Sequence, residues 1–304
     1  MKDFEIAIIK GFREISTPFI DTLLQIITIL GEQYVLIAVL AFFYFIVDKK
    51  KGQSVAYAIF TSLGLNGAIK GIVKYERPFI YDTSYEPVRK ETATGYSFPS
   101  GHTQGASVSY VSVALLEKKK WLTISVFILI FLIGLSRIGL GVHFPKDVVF
   151  GWIFGIGCAF LCTYLHEKYA KTLKNQMILY LITFAIYFPF IFIFYRSSFE
   201  DIKIYRDFYT SYAMFGGYIL GVYLEGKFVD FDNKASLKIR LIRLLGAIIF
   251  VVITQFGLDK VFPEGYILLD VLRYFLVSFV TLGLYPLVFK NVLFKKIVKS
   301  PSEN

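Results

Sequence analysis

Residues 99–147 open on PSGHT (99–103) and close on SRIGLGVHFPKD (136–147). In the closing phrase five residues separate Arg137 from His143, and three separate His143 from Asp147. Between the two phrases lie apolar runs at 102–116 and 122–135, parted by EKKKW at 117–121. PSGH reads as a helix start: Pro99 and Gly101 shape the turn, Ser100 is a good N-cap and an apolar run follows. The amides of Gly101 and His102, with the helix dipole behind them, then form an anion site. Upstream, Lys70 precedes Arg77-Pro78 with six residues between. The whole reads K-x6-RP, PSGH, SR-x5-H-x3-D.

Runs of this apolar kind recur along the chain. Of 304 residues, 56% are hydrophobic and 18% charged, and the mean hydropathy is +0.59. Average soluble domains are less apolar. Backbone groups cannot go unpaired in lipid, which leaves helices or closed barrels, and long unalternating runs select helices. The fold class expected is all-α, a polytopic helical membrane protein. The net charge of +10 is accounted for by basic loops on one side of a bilayer. No recognition module or aromatic-interleaved basic patch is present, so nucleic acid is not an expected partner.

In chain order, residues 1–18 read as an amphipathic helix lying on the membrane surface. The segment lacks the core and cleavage site of a signal peptide and is expected to be retained. Residues 19–30 are apolar but short, and Gly31-Glu32-Gln33 interrupts them before 34–47. One bent span, a re-entrant piece with a span, and a hairpin all fit. Further spans are expected at 54–73, 102–116, 122–135, 147–165, 177–195, 211–224, 241–258 and 266–289, with loops at 74–98 and 136–146. This gives about nine crossings. Basic residues Lys49–Lys51, Lys118–Lys120, Lys168, Lys171, Lys174, Lys234, Lys238, Arg240, Arg243, Lys290, Lys295, Lys296 and Lys299 fall on one side. The loops bearing Arg77, His102, Arg137 and His143 fall on the other, so they are expected to face away from the cytoplasm. The chain divides into an N-terminal interfacial segment (1–33), a core (34–166) and a C-terminal transmembrane extension (167–304).

Several features are read as structural. Cys158 and Cys162, one turn apart in an apolar run, are a packing pair, since two thiols make no closed ligand set. Gly151, Gly155 and Gly157 allow close helix approach. His166 opens a basic loop and reads as solvated and inert.

Lys70 and Arg77 are seven residues apart, nearly two helical turns, so both can point to one pocket. Pro78 disfavours helix at Arg77, so the span ends there. Alone, each is equally a snorkelling lysine or a headgroup-binding arginine. Asp147 is within reach of His143 if the segment turns helically, though a loop His–Asp pair is by itself equally a capping or surface pair.

Taken together, the three phrases closely resemble the type-2 phosphatidic acid phosphatase family, relatives of the vanadium haloperoxidases and glucose-6-phosphatase. The resemblance covers roughly residues 34–166, and implies a helical-bundle phosphatase core to which the later spans are an addition. It implies that Lys70, Arg77, Ser100, Gly101 and Arg137 bind phosphate. His143 matches the family nucleophile, which forms a phosphohistidine, and His102 the general acid. Asp147 then orients His143, the job the acid performs in a Ser-His-Asp triad. An unperturbed imidazole titrates at about 6.5, suited to proton transfer near neutrality.

The function implied is a metal-independent, integral-membrane phosphatase of a lipid phosphate or diphosphate, acting on the non-cytoplasmic side. Prenyl diphosphates, phosphatidylglycerophosphate and phosphatidic acid are candidate substrates, and the bilayer is the other partner. No cofactor is expected, and with His166 excluded no three-ligand zinc site is supported. Two alternatives stand beside this: a phosphatase for a soluble phosphoester of the glucose-6-phosphatase type, and a non-catalytic lipid binder or transporter. The sequence is silent on oligomeric state.

Overall fold

The computed structural model of the chain describes residues 2–295. Lys296 and Lys299, two of the basic residues assigned above to one side, lie outside the described residues. Among the described residues the regular structure is helical throughout.

The helix starts follow local capping chemistry. After α1 (Lys2–Glu14), Thr17 caps α2 (Pro18–Ile29), whose first residue is proline. Residues 30–32 break the helix, and α3 (Gln33–Phe42) leaves at 43° to α2, running on through a π-turn at Phe43–Val47. This decides among the three readings of 19–47 in favour of a bent pair. Asp48 caps α4 (Lys49–Val73) through the amide of Lys51, so Lys49–Lys51 form a first helical turn and not a loop. A short α5 (Pro78–Tyr81) follows Arg77. Ser100 caps α6 (Gly101–Glu117), and α7 (Lys120–Gly139) and α8 (Pro145–Tyr169) complete the first half. The second half holds α9 (Leu173–Ile193), a short α10 (Phe199–Ile202) and α11 (Arg206–Phe228). Then α12 (Leu237–Val252) runs through a π-turn at Ile253–Gly257 into α13 (Leu258–Val261). Finally α14 (Ile267–Phe279) runs through another at Val280–Leu284 into α15 (Tyr285–Val288).

Six helical segments are long and apolar enough to cross a membrane, and the bent α2–α3 pair brings the number to seven. The protein is a multi-span membrane protein. The expected nine included α6 and α11, which do not meet that standard. The reason lies in burial. Gln104, Ser107, Ser109 and Ser112 of α6 are fully enclosed by neighbouring helices, so lipid does not select against their polarity.

Three other expectations change. Ser136 and Arg137 belong to the last turn of α7, not to a loop. His166 lies inside α8 and is buried, with Nε2 3.0 Å from the Tyr180 hydroxyl, so it is not solvated. The apolar stripe of α1 is covered by protein: Ile6 and Ile9 pack on Ile138, Phe144 and Val148, and Glu5 takes the amide of Lys146 at 2.9 Å.

The basic ends gather at one end of the bundle. Lys51 pairs with Glu117 at 2.8 Å, Lys49 with Glu225 at 2.9 Å, and Arg243 donates to the Leu293 carbonyl at 2.7 Å. At the opposite end Glu32 pairs with Arg89 at 2.5 Å and Lys10 with Asp82 at 2.7 Å.

Helices α6 and α8 are in backbone contact. A Cβ on Gly155 would stand 2.5 Å from the Gln104 carbonyl oxygen, and one on Gly151 2.9 Å from Thr103 Cβ. Gly157 meets nothing within 4 Å, so the packing role expected of it is not found. Cys158 and Cys162 are free thiols buried in the same core. In the second half, Gly217 and Gly221 bring α11 against Phe275 and Gly283.

Gly155→Ala is therefore expected to destabilise the detergent-solubilised protein by about 1–3 kcal/mol, since backbone cannot yield as a side chain can. Gly157→Ala should cost nothing, alanine being the better helix former. Thermal unfolding of the two variants side by side checks both.

Candidate active site

His143 sits in the tight turn joining α7 to α8. That turn needs a residue at positive φ, which Gly141 supplies at 74°. The imidazole is 2% exposed. Its Nδ1 lies 3.3 Å from Asp147 Oδ2 and 3.4 Å from Ser97 Oγ. Its Nε2 lies 2.8 Å from Arg77 Nη1. A guanidinium only donates, so Nε2 is the acceptor and the ring proton sits on Nδ1, facing the carboxylate. His143 thus presents an Nε2 lone pair.

Asp147 is fixed from several directions. It stands in the first turn of α8, where Oδ2 accepts from the Phe144 amide at 3.0 Å and from Ser97 Oγ at 2.5 Å. Its carbonyl accepts from the Ser100 amide at 3.0 Å. One residue therefore joins the His143 turn to PSGH and to the 94–97 loop.

Of the cations, Arg77 is buried and fully engaged. Its Nε donates to the Gly95 carbonyl at 3.2 Å, Nη2 to that of Thr94 at 2.5 Å, and Nη1 also to that of Val142 at 3.1 Å. Lys70, in the last turn of α4, donates to the Tyr96 carbonyl. Arg137 is completely enclosed; Nη1 donates to Thr28 Oγ1 at 2.8 Å, while Nε and Nη2 have no partner. A buried guanidinium with idle donors is costly unless an anion takes them.

Ser100 Oγ accepts from Thr103 Oγ1 at 2.9 Å, and the hydroxyl is buried. His102 follows in the first turn of α6, and its buried Nε2 has no partner. The orientation of that turn is set by Asn66, which donates to Gln104 Oε1 at 2.8 Å, and by Gln104, which donates to the Ser62 carbonyl at 2.9 Å.

Lys70, Arg77, Gly101, His102 and His143 line one cavity of about 530 Å³. Ser100, Arg137 and Asp147 stand behind its wall. All eight residues singled out from the sequence are accordingly brought to one end of the bundle, five at the surface of the cavity and three supporting it.

Sequence reading missed three neighbours. Ser97 had a signal, a hydroxyl two residues before Pro99. Thr28 was a lone hydroxyl in an apolar run. Asp207, at the start of α11, also lines the cavity, accepts from Thr94 Oγ1 at 3.2 Å and lies within electrostatic reach of Lys70 and Arg77. It sits in a mixed-charge segment, where nothing in the sequence distinguishes it.

The chain matches two family models. One, described as the PAP2 superfamily, covers residues 51–171. The other, described as PAP2 superfamily phosphatase, transmembrane extension, covers residues 209–296. The undecaprenyl-diphosphatase of Sulfolobus acidocaldarius is 31% identical over 153 residues, 50% of this chain and 72% of that protein. Phosphatidylglycerophosphatase B of Bacillus subtilis is 29% identical over 175 residues, 53% of this chain and 83% of that one. The crystal structure of a transmembrane PAP2-type phosphatidylglycerolphosphate phosphatase from Bacillus subtilis covers 55% of this chain and 86% of its own, at 28% identity and a TM-score of 0.47.

Burial, and the positive charges of Arg77, Arg137 and Lys70, hold His143 well below the usual imidazole range. It therefore takes up its second proton only below about pH 6.5, and its contribution to stability is complete above that pH and is lost as the pH falls through the window beneath. The chain's three histidines make ¹⁵N-imidazole NMR the direct check. The His143 resonances, assigned with His143→Gln, should report a neutral Nδ1–H tautomer unchanged from pH 8 to about 6.5. Protonation above that range would contradict the geometry.

Proposed function

This chain belongs to the PAP2 superfamily and is a membrane phosphatase of that family, and within it we propose a lipid phosphatase working through a phosphohistidine on His143. The observation that carries the proposal is the line Asp147–His143–Arg77. It leaves an unprotonated Nε2 at the wall of a cavity that Lys70 and His102 also line.

The steps follow from what phosphoryl transfer requires: an in-line nucleophile, positive charge around the equatorial oxygens, and a proton for the leaving oxygen. In the proposed first step Nε2 of His143 attacks phosphorus while the bond to the leaving oxygen breaks. Arg77 Nη1, which donates to Nε2 in the free enzyme, passes its hydrogen bond to a phosphate oxygen as the substrate enters. Lys70, the α6 amides at Gly101 and Ser100, and the idle nitrogens of Arg137 take the remaining oxygens. Asp147 balances the charge that grows on the ring. His102 gives its proton to the departing oxygen. In the second step a water attacks the phosphohistidine, His102 takes its proton, and inorganic phosphate leaves. No step is assigned to a metal.

The leaving group is a lipid alcohol, or a lipid phosphate if the substrate is a diphosphate. The two relatives above are named for an undecaprenyl diphosphate and a phosphatidylglycerophosphate substrate, which supports this range. The site lies at the end of the bundle opposite the basic residues, which supports a non-cytoplasmic position under the positive-inside rule. In this reading residues 167–304 are an added transmembrane unit on the 34–166 core.

Phosphate release by detergent-purified protein in EDTA tests the proposal. We expect turnover of a lipid phosphate or diphosphate, inhibited by vanadate, and a loss of at least about 10³-fold in His143→Ala. His102→Ala should lose about 10²–10⁴-fold. Ser97→Ala should lose roughly 10–100-fold, the worth of one hydrogen bond to a charged group. Turnover of glucose 6-phosphate in place of any lipid would assign a soluble substrate. Folded protein that releases phosphate from nothing would return the lipid-binder alternative.

A further inference from the structure

The cavity that begins at the histidines does not end there. On α4 its wall is formed by Lys70, Gly67, Leu63, Phe60 and Ala56. These residues are spaced by three and four, so they share one helical face. From Lys70 to Ala56 the cavity descends about 21 Å at 1.5 Å per residue, against a hydrocarbon core of about 30 Å. The opposite wall comes from the C-terminal extension, with Met214 of α11, Val251 of α12 and Val277 of α14. Leu40 and Ala41 of α3 close the side between them.

Charge is distributed unevenly in this lining. Lys70, Arg77 and Asp207, with His102 and His143, are its charged or titratable groups, and all lie at the site end. The remaining depth carries none. Its volume of about 530 Å³ over about 21 Å gives a mean bore of about 25 Å², the width of one hydrocarbon chain and too little for two side by side.

The backbone of the wall is irregular. Each of the three π-turns contributes to it: Tyr44 and Phe45 from the first, Phe256 from the second, Thr281 and Leu282 from the third. Such turns interrupt a helix at a cost and concentrate at functional sites. Their convergence on one seam is a second observation, independent of the apolar lining.

We propose that this seam seats a single long hydrocarbon chain of the substrate, and that the extension exists to form its outer wall. The inference rests on the phosphatase reading for the identity of the headgroup. It narrows the substrate to a phosphate carried on one long chain, prenyl or alkyl, in preference to a two-chained lipid.

The test is a series of single-chain prenyl and alkyl phosphates of graded length, with a two-chained phosphatidic acid alongside, assayed on wild type and Val251→Trp. In wild type, turnover should rise with chain length. In the variant the ratio of long-chain to short-chain turnover should fall at least about tenfold. A long alkyl phosphate with a photoreactive group at its tail, irradiated with His143→Ala protein, provides a readout independent of turnover and of how Val251→Trp folds. Its tail should label cavity residues of α12 and α14. Labelling confined to the lipid-facing sides of α7 and α9, or an unchanged length profile in folded Val251→Trp, would overturn the proposal. So would equal turnover of the two-chained lipid with both tails labelling the seam. Labelling of α12 and α14 without phosphate release from any substrate would uphold the seam and overturn the phosphatase mechanism.

Discussion

The carboxylate of Asp147 is the point on which the site depends. With one oxygen it caps α8, accepts from Ser97 and faces His143, and its backbone carbonyl receives the amide of Ser100. Three stretches of chain that are distant in sequence are thereby held at hydrogen-bond distances from one another. The backbone contact of Gly151 and Gly155 with α6 is what lets this happen. Without it the first turn of α8 could not come beside the first turn of α6. Helix packing and site geometry are here one constraint.

A second constraint is electrostatic. Lys70, Arg77 and Arg137 are brought close together with little solvent, a cost that neutral surroundings would not offset. Part of the compensation is internal: carbonyls of Thr94, Gly95, Tyr96 and Val142 take up Arg77 and Lys70, and Asp147 and Asp207 supply negative charge nearby. Part is left over, in the idle nitrogens of Arg137. A phosphate dianion is the complement of that remainder, and the same field keeps His143 neutral and nucleophilic. Binding and activation then share one origin.

The extension contributes to both ends of the cavity. Asp207 and Thr210 reach the site from α11, and α12 and α14 wall the apolar depth. Its internal packing is tight, with Gly217 and Gly221 of α11 against α14, so the outer wall is as rigid as the core it faces. A cavity charged at one end and uncharged along the rest matches the amphiphile that the proposed reaction consumes.

Sequence alone determined the membrane-spanning helical class, because hydropathy is a local property that lipid enforces residue by residue. It also determined the set Lys70, Arg77, Ser100, Gly101, His102, Arg137, His143 and Asp147, because spacing within helices and turns fixes which of them can converge. Tertiary structure decided what depends on neighbours from elsewhere in the chain. The polar helix α6 is interior because other helices cover it, and His166 is buried because Tyr180 of the next helix meets it. Thr28 reaches Arg137 across 109 residues, and Asp207 reaches Thr94 across 113. The seam between core and extension likewise exists only once α3, α4, α12 and α14 are packed, since no single helix encodes a cavity. Patterns along one helix are written in one stretch of sequence; contacts between helices are set by the packing of all of them.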